Sequence, residues 1–184
     1  ILLWGSRILT RRHHFLLIKG QGYHNLIYTI LGERGSPVEN IYESDANKNP
    51  FLRPEITDSP LTSLGRDQCL EKRGLAASLS PELVVVSPLH RAMQTAQLTF
   101  GDFSGKVPFV AHDLCREELG LLVCNKRRPL SETAREFPYV DFSLISAEED
   151  NLWDPKGRES PVDKSQRVYT VSYTHLRAHE TLRY

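Results

Sequence analysis

The stretch Leu83 to Ala96, reading LVVVSPLHRAMQTA, constrains the fold more than any other part of the chain. Leu83–Val86 is a short, continuous apolar run rich in Val, the pattern of a strand buried on both faces. Ser87 stands where a helix N-cap belongs, and Pro88 takes the first helical position, where its missing N–H costs nothing. Leu89, Ala92, Met93 and Ala96 recur at helical spacing, which predicts a helix with one face packed on the sheet. A strand running into a capped helix leaves backbone N–H groups open at the strand's C-terminal end, a natural seat for an anion. Arg91 projects from the helix's first turn toward that place, with a fixed fork of donors suited to phosphate.

The flanking segments extend the same alternation. Phe15–Ile18 (FLLI) is a second candidate buried strand, ending at Gly20-Gln21-Gly22. Asn25–Leu31 (NLIYTIL) fits helix or strand by periodicity. Gly32–Pro60 is rich in Pro, Asn, Gly, Ser and charged residues and reads as a long surface excursion. Thr62 caps the next helix, with Leu64 near its start, Leu75 and Leu79 near its end, and Gly74 weakening its middle. A short strand is expected at Val107–Val110, followed by the acidic pair Glu117-Glu118 and the basic run Lys126-Arg127-Arg128, read as a solvated loop. Strands alternating with helices predict an α/β layered fold with a largely parallel sheet.

Composition narrows the function classes. With 184 residues, 40% of them hydrophobic, the chain can bury the core of one domain. Its 23 basic and 23 acidic residues balance, which argues against nucleic acid or a membrane surface as a partner. Cys69, Cys115 and Cys124 have no metal-like spacing and read as reduced thiols of a cytoplasmic protein. No apolar run approaches a membrane span, and Ile1–Leu3 is too short for a signal sequence. Position 1 is not Met and the single Met is Met93, so the chain reads as a fragment. The Gly20-Gln21-Gly22 triplet lacks the third glycine of a dinucleotide loop, which counts against that class.

Several separate motifs carry a resemblance. SPLHRAMQTA is similar to the S-P-L-x-R-(A/T)-x-Q-T-A segment of the histidine phosphatase, or phosphoglycerate mutase-like, superfamily. DSPLTSLGRDQ (Asp58–Gln68) resembles its D-x-P-L-T-x-x-G-x-x-Q segment, and GQGYHN (Gly20–Asn25) the tail of its first motif, R-H-G-Q-G-Y-H-N. CREELGLLVCNKRR, EFPYVDFSLI and the later LW…RES resemble the middle of plant and protist phosphoglycerate mutase-like proteins. The resemblance runs from about Phe15 to Val168, in order. It implies a three-layer αβα sandwich with a largely parallel sheet, incomplete at the C-terminus, as a domain over residues 13–170.

It also implies a chemistry on small phosphorylated substrates. A first-motif histidine attacks the phosphoryl group, and water or a second substrate resolves the phosphohistidine. Two arginines and a second histidine clamp the phosphate oxygens, and an acidic residue protonates the leaving oxygen. Neither a metal nor another cofactor is expected, because the positive groups supply the charge. Carried over residue by residue, Arg91 binds phosphate, Gln21 and Asn25 line the pocket, and Glu117, three residues before Gly120, stands at the acid position, with Glu118 as the alternative.

The chain departs from this pattern at two places. Ile18-Lys19 stands where the family has Arg-His, either as a substitution or as a single Lys with one residue deleted. His13 and His14 lie upstream and cannot take the nucleophile's place, and His24 reads as a loop or rim residue. Loss of a covalent nucleophile costs on the order of 10⁴ to 10⁶ in kcat. At the other end, VSYTHLRAHETLRY offers no apolar strand and no second catalytic histidine followed by glycine. It resembles translated sequencing-adapter DNA, so residues 171–184 read as a non-native tail, disordered or loosely helical, in which the His175–His179 pair carries no metal. Two function classes follow: an enzyme on phosphate monoesters of which this copy is impaired, and a pseudophosphatase that binds phosphorylated ligands.

Overall fold

The computed structural model describes residues 20–34, 45 and 47–170. The two apolar runs become β1 (Val84–Val86) and β2 (Phe109–Ala111), paired in parallel with Val84 opposite Phe109 and Val86 opposite Ala111. The second strand starts later than the run Val107–Val110 suggests. Pro108 can offer its carbonyl to Val84 N, at 3.0 Å, but has no N–H to give the ladder. On its other edge Val110 is bridged in parallel to Asp141, whose N–H and C=O bond Phe109 O and Ala111 N, each at 2.8 Å. The protein is therefore of the expected α/β class with a parallel sheet.

Helix α4 (His90–Phe100) begins later than its sequence suggests. Leu89 is the N-cap residue, with extended backbone, and Ser87 Oγ accepts from Leu89 N at a long 3.4 Å. Ser87 and Pro88 therefore form the turn between β1 and α4 rather than the cap and first helical position. Of the expected apolar face, Leu89, Met93 and Ala96 are buried and Ala92 partly so, with Phe100 buried beyond them, and α4 packs on β1 and on the two helices before it. Those two are α2 (Ser63–Glu71) and α3 (Arg73–Ser78), where one continuous helix is expected. Thr62 does cap α2, accepting from Gly65 N at 3.0 Å. The break falls at Lys72, two residues before the poorly helical Gly74.

The apolar face of α2 and α3 also differs from expectation. Leu64 and Leu75 are about half exposed, at 52% and 48%, while Gly65, Cys69 and Ala76 are buried. Small residues face inward because the neighbouring backbone comes so close. A Cβ on Gly65 would stand 2.2 Å from Gln21 O, and one on Gly20 2.6 Å from Gly65 O. Cys69, Cys115 and Cys124 are free thiols, all buried. Burial holds the Cys115 and Cys124 thiols up at about 11.

NLIYTIL resolves to helix α1 (Tyr23–Glu33), whose N-terminus is closed by Asn25 Oδ1 accepting from Gly22 N at 3.2 Å. Ile27 and Leu31 pack on a second apolar cluster formed by Phe51, Leu122 and Cys124. The stretch Gly32–Pro60 is thus not a surface excursion throughout. Gly32 and Glu33 finish α1, two proline-led 3₁₀ turns follow at Pro50–Leu52 and Pro54–Ile56, and Phe51, Asp58 and Ser59 are buried.

The basic run is not a solvated loop either. Arg127 is 2% exposed and donates to the carbonyls of Arg128, Ala147, Glu148 and Glu149. Arg128 reaches Asp58 and Glu136, the last residue of α5 (Leu130–Glu136), and Lys126 lies over the Trp153 ring. A further helix, α6 (161–170), starts at Ser160, whose Oγ accepts from Asp163 N at 3.1 Å. The candidate strand Phe15–Ile18, the residues His13, His14 and Lys19, and the tail 171–184 lie outside the described residues.

Candidate functional site

The tail of the first motif is laid directly on the cap of α2. Gln21 O accepts from Thr62 N at 2.9 Å, Gln21 Oε1 accepts from Thr62 Oγ1 at 2.9 Å, and Gln21 N donates to Gln68 Oε1 at 3.0 Å. Gln21 therefore stitches the first motif to the second and does not line the cleft described next, contrary to expectation. Gly22 makes the following turn possible. A Cβ there would fall 2.7 Å from the His24 ring and 3.2 Å from Arg91 Cδ.

Beside this turn opens a cleft of about 180 Å³. His24 and Asn25 line it from the start of α1, and Glu117, Glu118 and Asn125 line it from the loop after β2. Arg158, forty residues beyond Glu118, completes the polar side. Tyr28, Phe51 and Leu122 form an apolar side. Asn25 lines the cleft with its side-chain oxygen turned back to accept from Gly22 N. His24 is a correction: it is 8% exposed, with Nδ1 3.4 Å from the buried Ser59 Oγ, and belongs to the wall rather than the rim.

Arg91 stands behind the polar wall, 6% exposed. Its Nη1 donates to Cys124 O at 2.6 Å and its Nη2 to Asn125 Oδ1 at 2.9 Å, with Glu117 Oε2 3.6 Å from Nη2. These bonds commit two of the five guanidinium N–H groups. The start of α4 itself is not an open anion seat, because the Asp58 carboxyl already occupies it. Asp58 Oδ1 accepts from His90 N at 2.7 Å, and Oδ2 lies 3.4 Å from Arg128 Nε. Burial pushes the Asp58 carboxyl up, and the His90 N–H, Arg91 and Arg128 only partly offset it. Asp58 also has a positive φ of 44°.

The two candidate acids differ in what holds them. Glu117 has a side chain 51% exposed and faces Arg91. Glu118 is 19% exposed and bound by Arg158 Nε at 2.7 Å and Lys164 Nζ at 2.9 Å. Burial pushes the Glu118 carboxyl up, but the bonds from Lys164 and Arg158 outweigh it and leave it below the usual carboxylate range. A carboxylate held ionised by two cations is poorly suited to deliver a proton, which leaves Glu117 the better placed of the pair.

Sequence reading did not single out Arg158. Its only signal was the Arg158-Glu159-Ser160 segment, whose three residues do three jobs. Arg158 holds Glu118, Glu159 accepts from Leu119 N and Arg167, and Ser160 caps α6. Arg167, in turn, donates to Leu114 O and Arg116 O. The acid loop is thereby tied to α6, through Lys164 and Arg167, across separations of 46 to 53 residues. Gly120 lets the loop turn, with φ +81° and Gly157 O only 1.8 Å from where a Cβ would be. Among the described residues, no group of three or more His, Cys, Asp or Glu side chains could hold a metal ion, and no helix is long and apolar enough to cross a membrane.

Comparisons with known proteins bear on the family. The model of the histidine phosphatase superfamily (branch 1) matches residues 43–183, well over half of the chain. The chain belongs to that superfamily. It is 34% identical over 154 residues to phosphoglycerate mutase-like protein 1 of Arabidopsis thaliana, covering 66% of this chain and 55% of the relative. A phosphoglycerate mutase-like protein of the same plant is 33% identical over 175 residues, covering 79% and 59%. A probable phosphoglycerate mutase of Arthroderma benhamiae (strain ATCC MYA-4681 / CBS 112371) is 29% identical over 164 residues, covering 84% and 48%. The chain spans about half of the length of these curated relatives.

Proposed function

We propose that the cleft binds phosphate monoesters and that the protein's chemistry is phosphoryl transfer through a histidine. The observation that carries this reading is the 3.6 Å between Glu117 Oε2 and Arg91 Nη2. The oxygen that leaves an ester is bonded to the same phosphorus whose other oxygens a guanidinium grips. An acid for that oxygen must therefore stand beside the phosphate-binding arginine, and Glu117 does. In the full reaction a histidine nitrogen attacks phosphorus, the P–O ester bond breaks, and the leaving oxygen takes the Glu117 proton. Water then cleaves the P–N bond, or a second substrate hydroxyl does so in a mutase.

Lys19 stands where that histidine belongs, and a lysine offers phosphate only a point charge. We read the chain as written as an impaired copy of the enzyme. The second reading, a pseudophosphatase that holds phosphorylated ligands without turnover, draws on the same Ile18-Lys19 pair. Hydrolysis of p-nitrophenyl phosphate without added metal separates them. The proteins to compare are this chain and a version carrying Ile18→Arg, Lys19→His and a family-type C-terminal strand with its histidine. Turnover only in the restored protein supports the enzyme. Phosphate binding by both with turnover in neither supports the pseudophosphatase.

A further inference from the structure

The two sides of the cleft are chemically unlike, and the difference bears on what alcohol the phosphate is attached to. On the polar side two carboxylates, Glu117 and Glu118, reach the cleft, and the Arg158 beside them is already bound to Glu118. On the other side Phe51 and Leu122, 6% and 7% exposed, form the base of a small apolar cluster. Tyr28 projects over it from α1, 47% exposed, its ring centroid 6.5 Å from that of Phe51 and tilted by 47°. A half-exposed aromatic ring on an apolar base, at the edge of a cleft, offers a face to a second ring.

Building on the phosphate-monoester reading above, we infer that the preferred substrates are monoesters of ring-bearing alcohols, such as aryl phosphates, whose ring meets the Tyr28–Phe51 side of the cleft. Tyr28 then acts as a specificity residue that stacks on the organic part and takes no part in gripping the phosphate.

Isothermal titration of the chain as it stands tests this, with inorganic phosphate, phenyl phosphate, glycerol 3-phosphate and 3-phosphoglycerate as the probes. Tyr28→Ser and Tyr28→Phe are the variants, chosen because the side chain is half exposed. Phenyl phosphate should bind tighter than glycerol 3-phosphate, 3-phosphoglycerate or inorganic phosphate. Tyr28→Ser should weaken phenyl phosphate about 2- to 10-fold while leaving inorganic phosphate unchanged, and Tyr28→Phe should retain the preference. Binding of 3-phosphoglycerate as tight as phenyl phosphate would overturn the inference, as would an equal loss of both phosphates in Tyr28→Ser. Those results leave the phosphate reading standing. No binding of any of the four probes would sink that reading, and the inference with it.

Discussion

Arg91 shows how much one side chain can be asked to do. Two of its donors already close the loop at Cys124 and Asn125, so it is both a structural tie and the proposed phosphate ligand. A lysine cannot span those two acceptors with one ammonium group. Arg91→Lys is expected to lose about 1.5–3 kcal/mol of stability, read by urea unfolding, together with phosphate affinity. The acidic residues set the response to pH. The folded-state values of Glu118 and Asp150 are lowered, Asp150 because bonds from Arg116 and the Arg127 backbone outweigh its burial. Their contribution is therefore present above the ordinary values of 4.5 and 3.8 and is lost as pH falls through the lower folded values. Asp58, raised by burial, runs the other way: its contribution is present below 3.8 and fades as pH rises through its higher folded value. Thermal melts below pH 5 should show a falling Tm whose slope is shallower in Glu118→Gln. An unchanged slope in that variant would remove Glu118 from the account. Arg91 stood out because strand-then-helix places it at the strand's C-terminal end. That Asp58 fills the helix start did not, since nothing local links a residue to one 32 positions away.

At the scale of elements, short-range chemistry read well and tertiary crowding did not. The cap at Thr62 and the inward face of α4 followed from residue types and spacing. The outward turn of Leu64 did not, because periodicity cannot know that the Gly20–Gly22 backbone occupies the space beside α2. The Thr62 hydroxyl serves two elements at once, accepting from Gly65 N and donating to Gln21. Thr62→Ala should cost about 1–2 kcal/mol, while Thr62→Ser should recover most of it, as measured by urea midpoint. The turn at Gly120 is stricter. Gly120→Ala adds about 1–2 kcal/mol for the left-handed backbone and a collision with Gly157 O besides. A Tm within 2 °C of the parent protein's, on the order of the limit of such a measurement, would show that this contact is softer than its geometry implies.

Across the whole molecule, the site is assembled from five distant pieces of chain: the first motif with α1, the 3₁₀ turn at Pro50–Leu52, the start of α4, the loop after β2 and the segment before α6. The order of the motifs made the family legible, and the family then supplied Arg91, Asn25 and Glu117 as candidates. It did not supply Arg158 or the Tyr28–Phe51 wall, whose places depend on how those pieces meet. The central claim is that this meeting point holds phosphate, and the most direct measurement is a ¹H–¹⁵N NMR titration with inorganic phosphate. The account predicts saturable shifts concentrated at Gly22, His24, Asn25, Glu117, Asn125 and Arg158, reduced in Arg91→Lys. Shifts that gather elsewhere on the surface, or none at millimolar phosphate, would contradict it.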